Sequence, residues 1–237
     1  MTAQTHLPAT ALDHSAPRDE PVVHPPTRWA LAGLGAGLAG VGVMVSSSMV
    51  DAVYDPKLQG DADAISEALG DLVPQMLAFH LSAMTGAVLM IVFAAGLFRR
   101  LKATTPADSV LPLVAFSGVL ITAIMLIVGA GLDTEFIFAA SDPDMVVPED
   151  AAMFNHWIGT IPWCWGLLGL SGIALFGAAR HGGLPKWLGL VGLVGGGLTL
   201  LLGISPLQYM AGMTGPIGLI VIALGFLAGD KAFRGRS

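Results

Sequence analysis

Long apolar runs, separated by shorter polar segments, make up most of the 237-residue chain. A helix needs about 20 apolar residues to cross the roughly 30 Å hydrocarbon core of a bilayer. Six runs come close to this length or exceed it, namely residues 29–49, 75–98, 110–132, 156–179, 187–204 and 214–229. The pattern predicts an all-α fold, a polytopic membrane helix bundle with six transmembrane helices.

The two ends of the chain differ from this apolar region. Residues 1–27 are rich in Pro, Ala, Thr and charged side chains and lack apolar periodicity, which is typical of disorder. Residues 234–237 form a short basic segment. We therefore expect a disordered tail at 1–27, a transmembrane domain at 28–233 and a basic tail at 234–237.

The basic residues lie almost entirely on one side of the predicted membrane. Ten of the 11 Lys and Arg residues precede the first span, follow the sixth, or fall in the loops after the second and fourth. Only Lys57 falls on the other side. Because short loops rich in Lys and Arg stay in the cytoplasm, both termini should be cytoplasmic, and the two acidic loops should lie on the outer side.

Composition supports a membrane location and narrows the partners. Hydrophobic residues make up 54% of the chain and charged residues 12%, about half the charged fraction of soluble domains. The net charge of −6 argues against nucleic acid, which needs clustered Lys and Arg. The expected surroundings are the lipid bilayer, and the acidic outer loops suit an extracytoplasmic protein partner.

Glycines recur four residues apart in several spans. This spacing is found at Gly33 and Gly37, Gly192 and Gly196, and Gly225 and Gly229. In lipid, such small residues let two helix backbones approach closely and gain dispersion contacts. The spacing fits packing inside the bundle, and it fits equally well a homo-oligomer formed through the glycine-rich helix faces.

The fourth run opens with a histidine and three tryptophans, in the stretch NHWIGTIPWCW at 155–165. Trp side chains favour membrane interfaces, since the ring is apolar and its N–H is polar. Counted from Arg180 at 1.5 Å per residue, His156 lies about 36 Å outward, at the outer interface. We interpret the stretch as an outer aromatic belt at the head of a helix that Pro162 kinks.

His80 lies inside the second run, and an ionisable side chain at membrane depth is by default a functional hypothesis. One interpretation is a neutral imidazole bonded to a neighbouring helix. Another is a metal site of His80, His156 and Asp133, since imidazole and carboxylate suit zinc and similar ions. Two histidines would instead suit haem iron, and Met84, one turn from His80, would suit Cu(I). We expect no cofactor, with haem or a transition metal as the alternative.

The turn before the fifth run reads ARHGGLPKWLGLVGLV at 179–194. Its Leu184, Pro185, Trp187, Leu188 and Gly189 resemble a boundary in uncharacterised six-span membrane proteins of actinobacteria and related bacteria. In those proteins Leu-Pro is followed by Trp-Leu-Gly at the start of a span. The resemblance extends over about residues 28–233. It implies a multi-pass protein of the bacterial cytoplasmic membrane and supplies no activity or site residues.

No catalytic residue is predicted, because no nucleophile pairs with a base at matching depth. We therefore expect a non-enzymatic scaffold, sensor or partner-binding protein that uses its acidic outer loops. One alternative is a metal- or haem-binding protein with an outer site at His80 and His156. The other is a small-solute transporter, which needs a polar pathway through the bundle.

Overall fold

The computed structural model describes residues 28–140, 142 and 145–229, so the predicted tails lie outside the described residues. Within these residues the chain is helical and contains no strand. The eight α-helices are α1 (Trp29–Ser47), α2 (Ala62–Gly70), α3 (Val73–Lys102), α4 (Leu111–Ala139), α5 (Pro148–His156), α6 (Leu168–Arg180), α7 (Lys186–Ile204) and α8 (Ala211–Leu224). Short 3-10 turns occur at Ala52–Tyr54, Ile158–Trp163 and Gln208–Met210, and a π-helical turn at Gly225–Gly229 extends α8.

Six helical segments are long and apolar enough to span a membrane, which confirms the predicted all-α bundle of six spans. Their bounds are Trp29–Ser47, Val73–Lys102, Leu111–Ala139, Pro148–Arg180, Lys186–Ile204 and Gln208–Ala228. The outward faces carry exposed apolar side chains such as Leu81, Val194 and Leu201. A helix that is apolar on all sides is stable when lipid, rather than water, covers its outer face.

The six spans form a closed ring. Going around it, α1 packs against α3, α3 against α4, α4 against α6, α6 against α7, α7 against α8, and α8 against α1. Large buried side chains from several helices, including Phe93, Leu126, Trp165 and Leu175, fill the interior. Each helix therefore has two helical neighbours and one face left for lipid.

Close glycine contacts hold several neighbouring helices together. A Cβ added at Gly172 on α6 would lie 2.5 Å from the carbonyl oxygen of Gly192 on α7, and one at Gly196 would lie 2.8 Å from the Cα of Gly172. On α1, Gly33 faces the Phe93 ring of α3, and Gly37 faces α8. These glycines pack within one chain, whereas Gly195, Gly197 and Gly218 have open space around them, and a homo-oligomer through glycine-rich helix faces stays a prediction.

The fourth span differs from its prediction. Residues 156–179 do not form one kinked helix, because α5 ends at His156, a 3-10 turn follows, and α6 begins only at Leu168. Pro162 has no N–H to continue a helix, and Cys164 has a non-helical backbone with φ −76° and ψ 68°. Trp165 then turns into the bundle, where its ring lies against Gly40 of α1 and Gly215 of α8.

The predicted aromatic belt is therefore largely incorrect. Trp165 is buried, and its Nε1 donates a hydrogen bond to the carbonyl oxygen of Pro162 at 2.8 Å. Trp163 packs against Gly212 at the start of α8. Only Trp157 of the three is strongly exposed. The break in the helix turns two of the rings inward, away from the interface where their spacing on a continuous helix would have placed them.

The acidic loops at one end of the bundle fold into a small structure that we call the outer cap, after the side of the membrane on which the charge pattern predicts it. It comprises residues 48–72 and 145–157, and it includes α2 and α5. Asp61 caps α2, with its Oδ1 accepting a hydrogen bond from the Ala64 backbone N–H. Ile65 and Leu69, one turn apart on α2, are buried in a second hydrophobic cluster with Phe154 of α5 and residues from the ends of α3 and α4.

The glycine contacts between α6 and α7 predict different effects for two adjacent substitutions. Gly196→Ala should lower the thermal unfolding midpoint in detergent, because its Cβ would overlap α6; overpacking of this kind costs about 1–3 kcal/mol. Gly197→Ala is the matched control, since nothing lies within 4 Å of its added Cβ. Its midpoint should stay the same or rise, and equal losses in both variants would contradict the packing described here.

Candidate functional site

Asp133 is the most unusual side chain of the bundle. It lies near the end of α4 beside the outer cap, it is 0% exposed, and neither carboxyl oxygen has a hydrogen-bond partner among the described residues. The predicted third span ended at residue 132, one residue before Asp133, whereas α4 continues to Ala139. Burying a carboxyl group without partners is costly, so a buried carboxyl group in a membrane helix marks a candidate site.

His80 approaches this carboxyl group from α3. Its Nδ1 lies 3.0 Å from the carbonyl oxygen of Ala130 and 3.9 Å from Oδ2 of Asp133. A carbonyl oxygen can only accept, so Nδ1 carries the hydrogen, and Nε2 of the neutral ring is left as an acceptor. The hydroxyl of Thr134 also donates to Ala130, at 3.0 Å. The imidazole is thus held by α4, in agreement with the helix-packing interpretation of His80.

The same arrangement is also compatible with metal binding. Histidines that ligate metals commonly donate their second ring N–H to a carbonyl or carboxylate, which fixes the tautomer and the ring orientation. His80 has such a bond, its side chain is 25% exposed, and the Asp133 oxygens lie nearby without partners. Met84, the candidate Cu(I) ligand, packs against the hydrophobic core.

His156 does not join His80 and Asp133. It ends α5 in the outer cap, is exposed, and makes an edge-to-face contact with the Tyr54 ring at a centroid distance of 5.4 Å. Within the described part of the chain, no group of three or more His, Cys, Asp or Glu side chains could hold a metal ion. The described structure therefore does not bring His80, Asp133 and His156 together as one three-residue group.

Asn155 has a structural role that sequence analysis missed. Its side chain is buried, its Oδ1 accepts a hydrogen bond from the Val53 N–H at 2.8 Å, and its Nδ2 donates to the Val50 carbonyl oxygen at 2.6 Å. It therefore fastens the segment after α1 to α5. An Asn before a His at the end of a short helix gives no sequence signal for such a long-range contact.

The outer cap also contains an open depression with a volume of about 510 Å³. The Tyr54 and His156 rings line it, together with Gln59, Gly60 and the apolar residues Val53 and Ile65. Concave sites of about 300–1,000 Å³ are typical of ligand binding. This depression was not predicted, because it depends on the fold of loops that carry no recognisable motif.

A small cavity lies among α3, α4, α6, α7 and α8. It has a volume of about 20 Å³ and is lined mainly by apolar residues and glycines, which leaves room for about one water molecule. Its polar groups are bonded: Ser171 donates to the Ala115 carbonyl oxygen at 2.7 Å, and the Thr199 and Thr214 hydroxyl oxygens are 2.9 Å apart. This cavity is too small for a solute, so it gives no support to the transporter alternative.

Comparison of the chain with protein-family models, with curated proteins and with solved structures finds no match.

The contacts of Asn155 predict a local effect of its removal. Asn155→Ala leaves a buried N–H and a buried carbonyl without partners, at a cost of about 1–3 kcal/mol. Amide hydrogen exchange at residues 50–54 should become about tenfold faster, since about 1.4 kcal/mol corresponds to a factor of ten. Met153→Ala, an exposed position on the same helix, should leave exchange unchanged; equal acceleration in both variants would contradict the anchoring role.

Proposed function

We propose that this protein is a non-enzymatic scaffold or sensor of the bacterial cytoplasmic membrane that binds an extracytoplasmic protein through its outer cap. The observation that carries this proposal is the cap itself. The polar segments between the spans form two helices with a hydrophobic cluster of their own and do not run as simple connections. Such a folded surface supports recognition, while the cavity among the spans has a volume of only about 20 Å³.

The charge of the outer cap supports a basic partner. Exposed carboxylates of the cap are those of Asp51, Asp61, Asp63, Glu67, Asp71, Glu149 and Asp150. Lys57 is the only Lys or Arg in cap residues 48–72 and 145–157. A surface with one sign of charge attracts partners of the opposite sign and increases their association rate. The proposed partner is therefore a protein with a basic surface.

The proposed orientation rests on the opposite end of the bundle. Arg99, Arg100 and Lys102 end α3, and Arg180 and Lys186 flank the turn between α6 and α7. Basic residues in short loops favour the cytoplasm, which directs the outer cap away from it. The resemblance to six-span actinobacterial proteins, carried by the Leu-Pro and Trp-Leu-Gly residues of this turn, supports the bacterial membrane.

Photocross-linking in intact cells tests the proposal. A photoreactive residue at Glu67, exposed on α2, should give a discrete protein adduct, whereas one at Val194, 64% exposed on the lipid-facing side of α7, should give none. The double variant Asp63→Asn, Asp71→Asn should weaken the adduct about fivefold, since each lost surface attraction is worth up to about 1 kcal/mol. Absence of a protein adduct at Glu67, or an adduct insensitive to charge, would overturn the proposal.

A second candidate function is metal or haem binding at His80, and it rests on the fixed Nδ1–H and the unpartnered Asp133 oxygens. Under this candidate, the purified protein contains stoichiometric metal or shows a Soret band. His80→Ala and Asp133→Asn should lose this signal, and His156→Ala, in the outer cap, should keep it. A colourless, metal-free protein would leave His80 as a helix-packing residue.

A further inference from the structure

The depression in the outer cap combines an apolar base with an aromatic wall. Val53, Ile65 and Ala152 supply apolar surface, while the Tyr54 and His156 rings form the wall. The two ring planes are nearly perpendicular, at 85°. Tyr54 is 58% exposed although it contacts His156, so much of this residue remains accessible beside the depression.

Fixed negative charges lie beside this wall. Asp61 sits between Gly60 and Ala62, which both line the depression, and its Oδ1 accepts a hydrogen bond from the Ala64 N–H at 3.0 Å. Asp55 follows Tyr54 directly, and its Oδ1 accepts from the Lys57 N–H at 2.9 Å. Both carboxylates are held by backbone bonds, and each belongs to a residue directly adjacent in sequence to one that lines the depression.

Aromatic faces and nearby carboxylates select the same kind of group. A cation over a Tyr ring is attracted by the ring quadrupole, with a gain of about 0.5–1 kcal/mol at exposed sites. The carboxylates add attraction for cations and repel anions. An apolar base accommodates the methylene groups of a long basic side chain, since Lys and Arg place their stems along apolar surface and keep the charged end in water.

We propose that this depression is the anchor point for one basic side chain, Lys or Arg, of the protein that binds the outer cap. The proposal rests on the proposed function and deepens it by assigning the recognised group to a defined place. An Arg side chain surrounded by weaker contacts is a common centre of a protein interface, and Lys offers the same charge on a similar apolar stem. The carboxylates elsewhere on the cap then contribute long-range attraction.

Fluorine NMR on the full chain tests the assignment, because the protein has only two tyrosines, Tyr54 and Tyr209. Fluorotyrosine gives two signals, and Tyr209→Phe assigns them. The probes are n-butylammonium and n-propylguanidinium, which represent the Lys and Arg side chains, with 1-butanol as a neutral control. The cations should shift the Tyr54 signal saturably and leave Tyr209 unchanged, and 1-butanol should have little effect.

Variants of the depression sharpen the test. Ala152→Leu fills it and should abolish the Tyr54 shift. Asp61→Asn keeps a good helix cap but should weaken probe binding about fivefold, whereas Asp71→Asn, at the far end of α2, should not. Lys57→Gln removes a competing cation and should strengthen binding. An equal response to 1-butanol, or an unchanged response in Ala152→Leu, would overturn the proposal.

The two proposals fail in distinguishable ways. If the adduct at Glu67 persists in Ala152→Leu while probe binding is lost, the depression serves a free small amine, and the side-chain assignment falls. If no adduct forms in any variant, the proposed function falls, and the side-chain assignment falls with it. Joint loss of probe binding and of the adduct in Ala152→Leu, with both retained in Gly197→Ala on α7, outside the outer cap, is the result that the proposal expects.

Discussion

The fold depends on one requirement of the lipid environment, that each backbone N–H and C=O in the hydrocarbon core must find a partner within the protein. Five of the six spans meet it with continuous helices. The fourth meets it with local bonds across its break, where the N–H groups of Cys164 and Leu168 donate to the carbonyl oxygens of Ile161 and Trp165. An irregular backbone at this depth is tolerated only where protein covers it.

This covering explains the arrangement around the break. Pro162 packs against Gly129 of α4, and the buried Trp165 ring occupies the space between α1 and α8. The neighbouring helices therefore need small residues where the large side chains of the broken span pack against them. The broken span in turn shields the face of α4 that carries Gly129 and, one turn further outward, Asp133. The unpartnered carboxyl group and the irregular span thus belong to the same region of the bundle.

The sequence predicts the structure best where one contribution to the free energy is much larger than the others. Apolar length alone gives the six spans, because the cost of charge in lipid is large. The sequence predicts the structure least well where contacts between residues distant in sequence determine the position of a side chain. The burial of Asp133 depends on two extra turns of α4, and the position of His156 depends on a break that Pro162 permits but does not require. Asn155 bonds to residues more than 100 positions away, and periodicity cannot reveal such a bond.

The contact between α6 and α7 has a consequence for how the gene can change. At this contact Gly169 and Gly172 face Gly192 and Gly196 with backbone atoms in direct proximity. Every amino acid other than glycine has a side chain. Each amino-acid substitution at one of these glycines therefore inserts at least one carbon atom between the two helices. Gly195 and Gly197, which have open space around them, are free of this restriction. In related chains, we therefore expect neighbouring glycines of one helix to be substituted at very different rates.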